Sequence, residues 1–121
     1  MYQKLADNVA IAAGEQVESP AVSMEGANIV QVDAVLISVG SGFSSATITL
    51  EISNDLENWT EADPTDTTDQ ISFTTIGYKT ATLRTDYASG GTRISAAYVR
   101  LRYEAVGGTA IFAAGINTAS A

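Results

Sequence analysis

Apolar and polar residues alternate with a period of two along most of this chain, the pattern of strands that bury one face. The segment "NIVQVDAVLISVG" places Val30, Val32, Ala34 and Leu36 on one side and Gln31 and Asp33 on the other, before Val35, Ile37 and Val39 make both sides apolar. That predicts a long strand entering a buried environment toward its C-terminal end. "SGFSS" supplies a turn, because Gly40 and Gly42 accept positive φ and the serines bond to nearby backbone. "ATITLEIS" then alternates Ala46, Ile48, Leu50 and Ile52 with Thr47, Thr49 and Glu51. These two strands are expected to pair as a hairpin.

The same period predicts strands over Val9 to Ala13, Val17 to Met24, Ile71 to Thr75, Tyr78 to Arg84, Tyr98 to Tyr103 and Thr109 to Ile116. No window of a dozen residues carries an apolar stripe of period 3.6 with caps at both ends, although "YASGGTRISAAYV" has room for a short helical turn. The expected fold is all-β, an antiparallel β-sandwich of jelly-roll-like form. At 121 residues the chain is one domain with a core of useful size. Residues 1–8 precede the alternating pattern and are expected to form an N-terminal arm, with a disordered terminus or an edge strand as the other assignments; the sandwich is expected over 9–121.

In "LEISNDLENWTEA" the alternation breaks at Ser53, Asn54 and Asp55, and the only tryptophan follows. Asn54 and Asp55 suit a turn, since their side chains bond to local backbone. Trp59 is expected to fold over the open end of the sandwich as a core plug, its indole N–H donating to a carbonyl at the rim. The competing assignment is an exposed ligand platform.

Composition narrows the chemistry. Only 17% of residues are charged, against roughly 25% in ordinary globular chains, and the difference is made up by neutral small residues. The formal net charge of -8 produces a field that repels phosphate backbones and anionic membranes, so neither nucleic acid nor membrane is an expected partner. Cysteine and histidine are both absent, which removes thiolate and imidazole metal sites and the Ser-His-Asp and Cys-His catalytic arrangements. The opening "MYQKLADNVAIAAGEQ" is too short and too polar for a signal-peptide core, and production in a host cytoplasm is expected.

Carboxylates gather in "DLENWTEADPTDTTDQ", with Asp55, Glu57, Glu61, Asp63, Asp66 and Asp69, but the spacing lacks the pattern that wraps a calcium ion. A solvated loop is expected, and no metal or other cofactor is assigned. Arg100 and Arg102 fall on one side of a strand. They are placed to pair with Glu51 or Glu104 across a sheet; a contact with a capsid protein or a second subunit is the other assignment.

"ATITLEISNDLENWTEA" taken with "AAYVRLRYEAVGGTAIFAAGI" resembles the β-sandwich structural proteins of tailed-bacteriophage virions, head decoration and tail-associated domains among them. The matching positions are Ser53, Asn54, Asp55 and Trp59, then Tyr98, Val99, Arg100, Leu101, Arg102, Gly107 and Gly108, and the resemblance extends over most of the chain after about residue 9. A strand followed by a polar turn and Trp, and a Tyr-Val-Arg-Leu strand, are also shared with discoidin-like carbohydrate-binding domains. The chain is only 7% aromatic and its aromatic residues are scattered, so the virion family is the better match and a carbohydrate-binding module the alternative. The resemblance implies a non-enzymatic virion protein that caps a phage head and reinforces it. Its partners would be the major capsid protein or another virion protein, and copies of itself in a trimer. The expected contact residues are Met1, Tyr2, Lys4 and Leu5 of the arm, with Arg100 and Arg102 as further candidates.

Overall fold

The computed structural model describes residues 2–27, 29–61, 70–84 and 96–120. The described residues form ten strands, β1 (Tyr2–Ile11), β2 (Gln16–Glu18), β3 (Val22–Ser23), β4 (Ile29–Val39), β5 (Ser45–Ser53), β6 (Thr60–Glu61), β7 (Gln70–Phe73), β8 (Gly77–Arg84), β9 (Tyr98–Val106) and β10 (Ala110–Ala119). They make two antiparallel sheets packed face to face as a single-domain β-sandwich, the fold class that the alternation predicts. One sheet has the order β1-β10-β4-β8; the other runs β2-β9-β5-β6, with β3 also on β9 and β7 also on β5.

The predicted inward faces are the observed ones. Val30, Val32, Ala34 and Leu36 of β4 are buried, as are Ala46, Ile48 and Leu50 of β5, and they meet in one core with Ile11, Val99, Leu101, Phe112 and Ile116. Aromatic rings join the sheets. Phe112 of β10 lies 6.0 Å from the Phe73 ring of β7 and 5.9 Å from the Tyr103 ring of β9. Burial among these groups pushes the Tyr103 phenol up to about 12, because an ionised ring oxygen has no water there.

Three expectations need correction. The predicted hairpin between β4 and β5 does not form: the two strands belong to different sheets, and the turn at 40–44 carries the chain from one sheet to the other. The connection at 107–109 crosses back beside it, so Gly40 N–H donates to the Thr109 carbonyl at 2.7 Å and Ser44 N–H to the Val106 carbonyl at 2.9 Å. The strand expected over Val17 to Met24 is broken into β2 and β3, because Pro20 has no N–H to offer β9. Ser19 spans the break: its N–H donates to the Leu101 carbonyl at 2.8 Å, and its hydroxyl accepts the Leu101 N–H at 2.9 Å. The third correction concerns the expected arm. Residues 2–8 belong to β1, an edge strand in register with β10 from Tyr2↔Asn117 to Ile11↔Ala110. Residues 87–95 of the possible helical turn lie outside the described residues.

The paired crossings explain two glycines. Gly107 has φ of +84°, and a Cβ on it would collide with the Gly42 carbonyl oxygen, while a Cβ on Gly108 would lie 2.7 Å from the Phe43 nitrogen. Backbone meets backbone here, and a side chain has no flexible neighbour to displace. Gly14 has a similar φ of +80° but open space around it. Gly14→Ala should therefore lose only the left-handed penalty of about 1 to 2 kcal/mol. Gly107→Ala adds the collision and should lose about 3 kcal/mol or more. Equal losses for the two in urea titrations would contradict the close crossing.

Candidate functional site

The outer face of the larger sheet is closed by its own charges. Glu51 of β5 stands directly opposite Arg100 of β9, with Arg102 on the diagonal. Its two carboxylate oxygens accept from Arg100 Nε and Arg102 Nη1, both at 2.8 Å. Arg102 also donates through Nη2 to Glu61 at 3.1 Å and through Nε to Glu104 at 2.9 Å. Gln16 Nε2 extends the row by donating to Glu104 at 3.1 Å. The Glu51 side chain is only 7% exposed, so this ladder is far better shielded than an ordinary surface pair. Both arginines proposed from sequence as partner contacts are engaged within the chain.

Trp59 belongs to the same ladder. Its ring covers the Arg100 guanidinium, with the central carbon 4.2 Å from the ring centre, and its indole N–H donates to the Leu56 carbonyl at 3.2 Å. The tryptophan is half-buried and lies outside the core cluster, so it is a cover on an ion pair and not the expected core plug. The turn before it is built by Asp55, whose carboxylate accepts from the N–H groups of Glu57 (2.9 Å) and Asn58 (2.8 Å), from Asn58 Nδ2 (2.6 Å) and from the Ser53 hydroxyl (3.0 Å). The Asn58 and Glu57 backbone donors lead in holding this carboxyl well below the usual carboxylate range. Asn54 Oδ1 accepts the Ala97 N–H at 3.0 Å, tying the turn to the entry of β9. Of the acid-rich stretch, Glu61 is ion-paired with Arg102, and Asp63, Asp66 and Asp69 lie outside the described residues.

The other sheet has a different outer surface. Tyr2 of β1 and Tyr78 of β8 rise from its opposite edges, 54% and 62% exposed. The phenol end of Tyr2 lies in the space that a Cβ on Gly115 of β10 would fill. Tyr78 and Asp33 of β4 line the same surface from the other side. Desolvation first, and then the nearby Asp33 carboxylate, push the Tyr78 phenol upward from its ordinary value. Asp33 accepts from the Thr80 hydroxyl at 2.9 Å. Between the tyrosines is an open cleft of about 210 Å³, lined by both rings, Lys4, Asp33, Val35 and Ala113. Lys4 Nζ is 3.3 Å from Asp7.

Strand register places a third surface at one end of the sandwich. The pairs Leu36↔Gly77, Ala46↔Phe73, Ser45↔Val106 and Val39↔Ala110 bring the connections at 40–44, 74–76 and 107–109 together. Ile37, Ile76 and Val106 are exposed there, the last two by 55% and 54%. The exposure of Ile37 corrects the expectation that β4 ends in a buried environment. Of the proposed arm residues, Tyr2 and Lys4 line the cleft, Leu5 packs against the core, and Met1 lies outside the described residues.

With this geometry the fold can be set beside known structures. The chain shares its fold with PBSX exported protein XepA. The likeness extends over 100% of this chain at a TM-score of 0.67, with 16% sequence identity. The chain spans 37% of the length of XepA, so it corresponds to a part of that protein. SPBc2 prophage-derived protein YomS also aligns, at 14% identity and a TM-score of 0.46, over 98% of this chain and 96% of YomS. No protein-family model and no curated protein sequence matches the chain.

Sequence reasoning singled out the residues of the arginine ladder but missed Asp33, Tyr78 and Gly115 as a group. The available signal was a glycine in the middle of an apolar strand, which marks a place where another group approaches closely.

Proposed function

We propose that this chain is a non-enzymatic phage protein that decorates the outside of a head, binding the major capsid protein or another virion protein and reinforcing the shell. It acts as a trimer at threefold positions, where many weak contacts repeated over the shell add through multivalency. The observation that carries this reading is the sandwich fold shared over the whole chain with part of the phage-derived protein XepA. The exposed end carrying Ile37, Ile76 and Val106 supplies the apolar contact surface, while the arginine ladder leaves the larger sheet's outer face occupied by internal pairs. The net charge of -8 opposes direct contact with packaged nucleic acid.

The test is a density-gradient binding assay with purified protein and undecorated particles. The protein should move with the particles and raise the temperature at which they open. Ile76→Lys combined with Val106→Lys should stay at the top of the gradient while keeping its circular dichroism and trimeric sedimentation. Particles that bind neither protein contradict the decoration role, and particles that bind both contradict the assigned end.

A further inference from the structure

We propose that the cleft between Tyr2 and Tyr78 binds a single pyranose ring of a glycan. The two tyrosines start from the outer strands of the four-stranded sheet, roughly 14 Å apart across the strands and roughly 13 Å along them, since Tyr2 is level with Gln31 of β4 and Tyr78 with Val35. Both tyrosines line the cleft between them, with Val35 and Ala113 also in its lining. Gly115 is the enabling position, because any larger residue would displace Tyr2 from the sheet surface.

Charge selects the class of ligand. Lys4 and Asp33 both line the cleft and carry opposite signs, so neither a free cation nor a free anion meets a uniform field there. A neutral polyol suits both, since its hydroxyls donate to a carboxylate and accept from an ammonium. Asp33 has no ion-pair partner among the described residues, and the Thr80 hydroxyl donates to it at 2.9 Å. A carboxylate has about four lone-pair sites, so further sites remain for ligand hydroxyls. The C–H face of a pyranose then rests against the tyrosine rings, which bury apolar area at small cost in side-chain freedom. Val106 of the docking end belongs to β9 of the other sheet, away from this cleft, so a change there separates the glycan site from capsid docking.

The experiment titrates the isotopically labelled protein with the methyl glycosides of glucose, galactose and N-acetylglucosamine, following backbone amides by NMR. At least one glycoside should give saturable shifts in the millimolar range at Tyr2, Asp33 and Gly115. Tyr78→Ala and Asp33→Asn should each weaken that binding about tenfold, equivalent to about 1.4 kcal/mol. Val106→Lys should leave it unchanged, and neither tetramethylammonium nor inorganic phosphate should saturate the same amides. The proposal is overturned if no glycoside produces saturable shifts at these positions, if tetramethylammonium produces them equally, or if both cleft variants retain full affinity. Amide spectra establish that each variant is folded; where Tyr78→Ala is not, Asp33→Asn decides.

Discussion

Glu51→Ala should lower the unfolding free energy by about 3 kcal/mol, because one nearly buried carboxylate serves two guanidiniums. Its removal leaves Arg100 under the Trp59 ring with no anionic partner among the described residues, and leaves Arg102 only Glu61 and Glu104. The loss falls at the lower end of the range for a broken buried pair, since both arginines retain some contact with water. Glu61→Ala is the control. Glu61 is more exposed and makes a single contact with Arg102, so its removal should cost under about 1 kcal/mol. Urea titrations of the two variants should therefore separate clearly. Similar midpoints would mean that the ladder is loose and that Arg100 and Arg102 are available to a partner after all.

The second large effect is expected in the core. Phe112 is fully buried on the smaller sheet, and its ring contacts Phe73 and Tyr103 of the larger one. Phe112→Ala opens a cavity where the sheets meet and should cost about 4 kcal/mol, a large share of the 5 to 15 kcal/mol of a typical domain. Trp59→Ala, in contrast, removes an outer cover and a cation–π contact and should cost about 1 to 2 kcal/mol. A tryptophan variant less stable than the phenylalanine variant would restore Trp59 to the core-plug role expected of it from sequence.

The difference between those two aromatics shows how far the chain could be read in advance. Strand alternation identifies the buried residues of β4, and in β5 it finds Ala46, Ile48 and Leu50 but not the burial of Thr49 and Glu51 on the opposite face or the partial exposure of Ile52, because the period reports which face of a strand is apolar. It does not report which sheet a strand joins. The Gly-rich turn at 40–44 looks like hairpin chemistry, yet its glycines serve a crossing between sheets, packed against the equally Gly-rich turn at 107–109. The first part of β1, before Val9, reads as an arm for another reason. Register shifts between Lys4 and Ala6 and between Ala6 and Val9 put Ala6 and Ile11 in the core at a spacing that is not two. Bulges of this kind also blunt an exposed edge, so the irregularity that hides the strand in sequence protects it in the fold.

The two surfaces differ in the same way. Glu51, Arg100 and Arg102 stand on strands whose alternation is clean, and their pairing across the sheet could be anticipated from charge alone. The cleft joins Tyr2, Asp33, Tyr78 and Ala113 from four strands, and their meeting depends on the order β1-β10-β4-β8. No local pattern encodes that order. It follows from which strands share a sheet, a long-range property that single-chain periodicity does not contain.

Decoration of a phage head is tested most directly by counting copies of this chain on purified virions by quantitative electrophoresis against the major capsid protein. The decoration role predicts a fixed ratio consistent with trimers at repeated shell positions, unchanged by further purification and lost together with heat resistance when the protein is stripped. Absence of the chain from virions, or a ratio that drifts toward zero with each purification step, would contradict it.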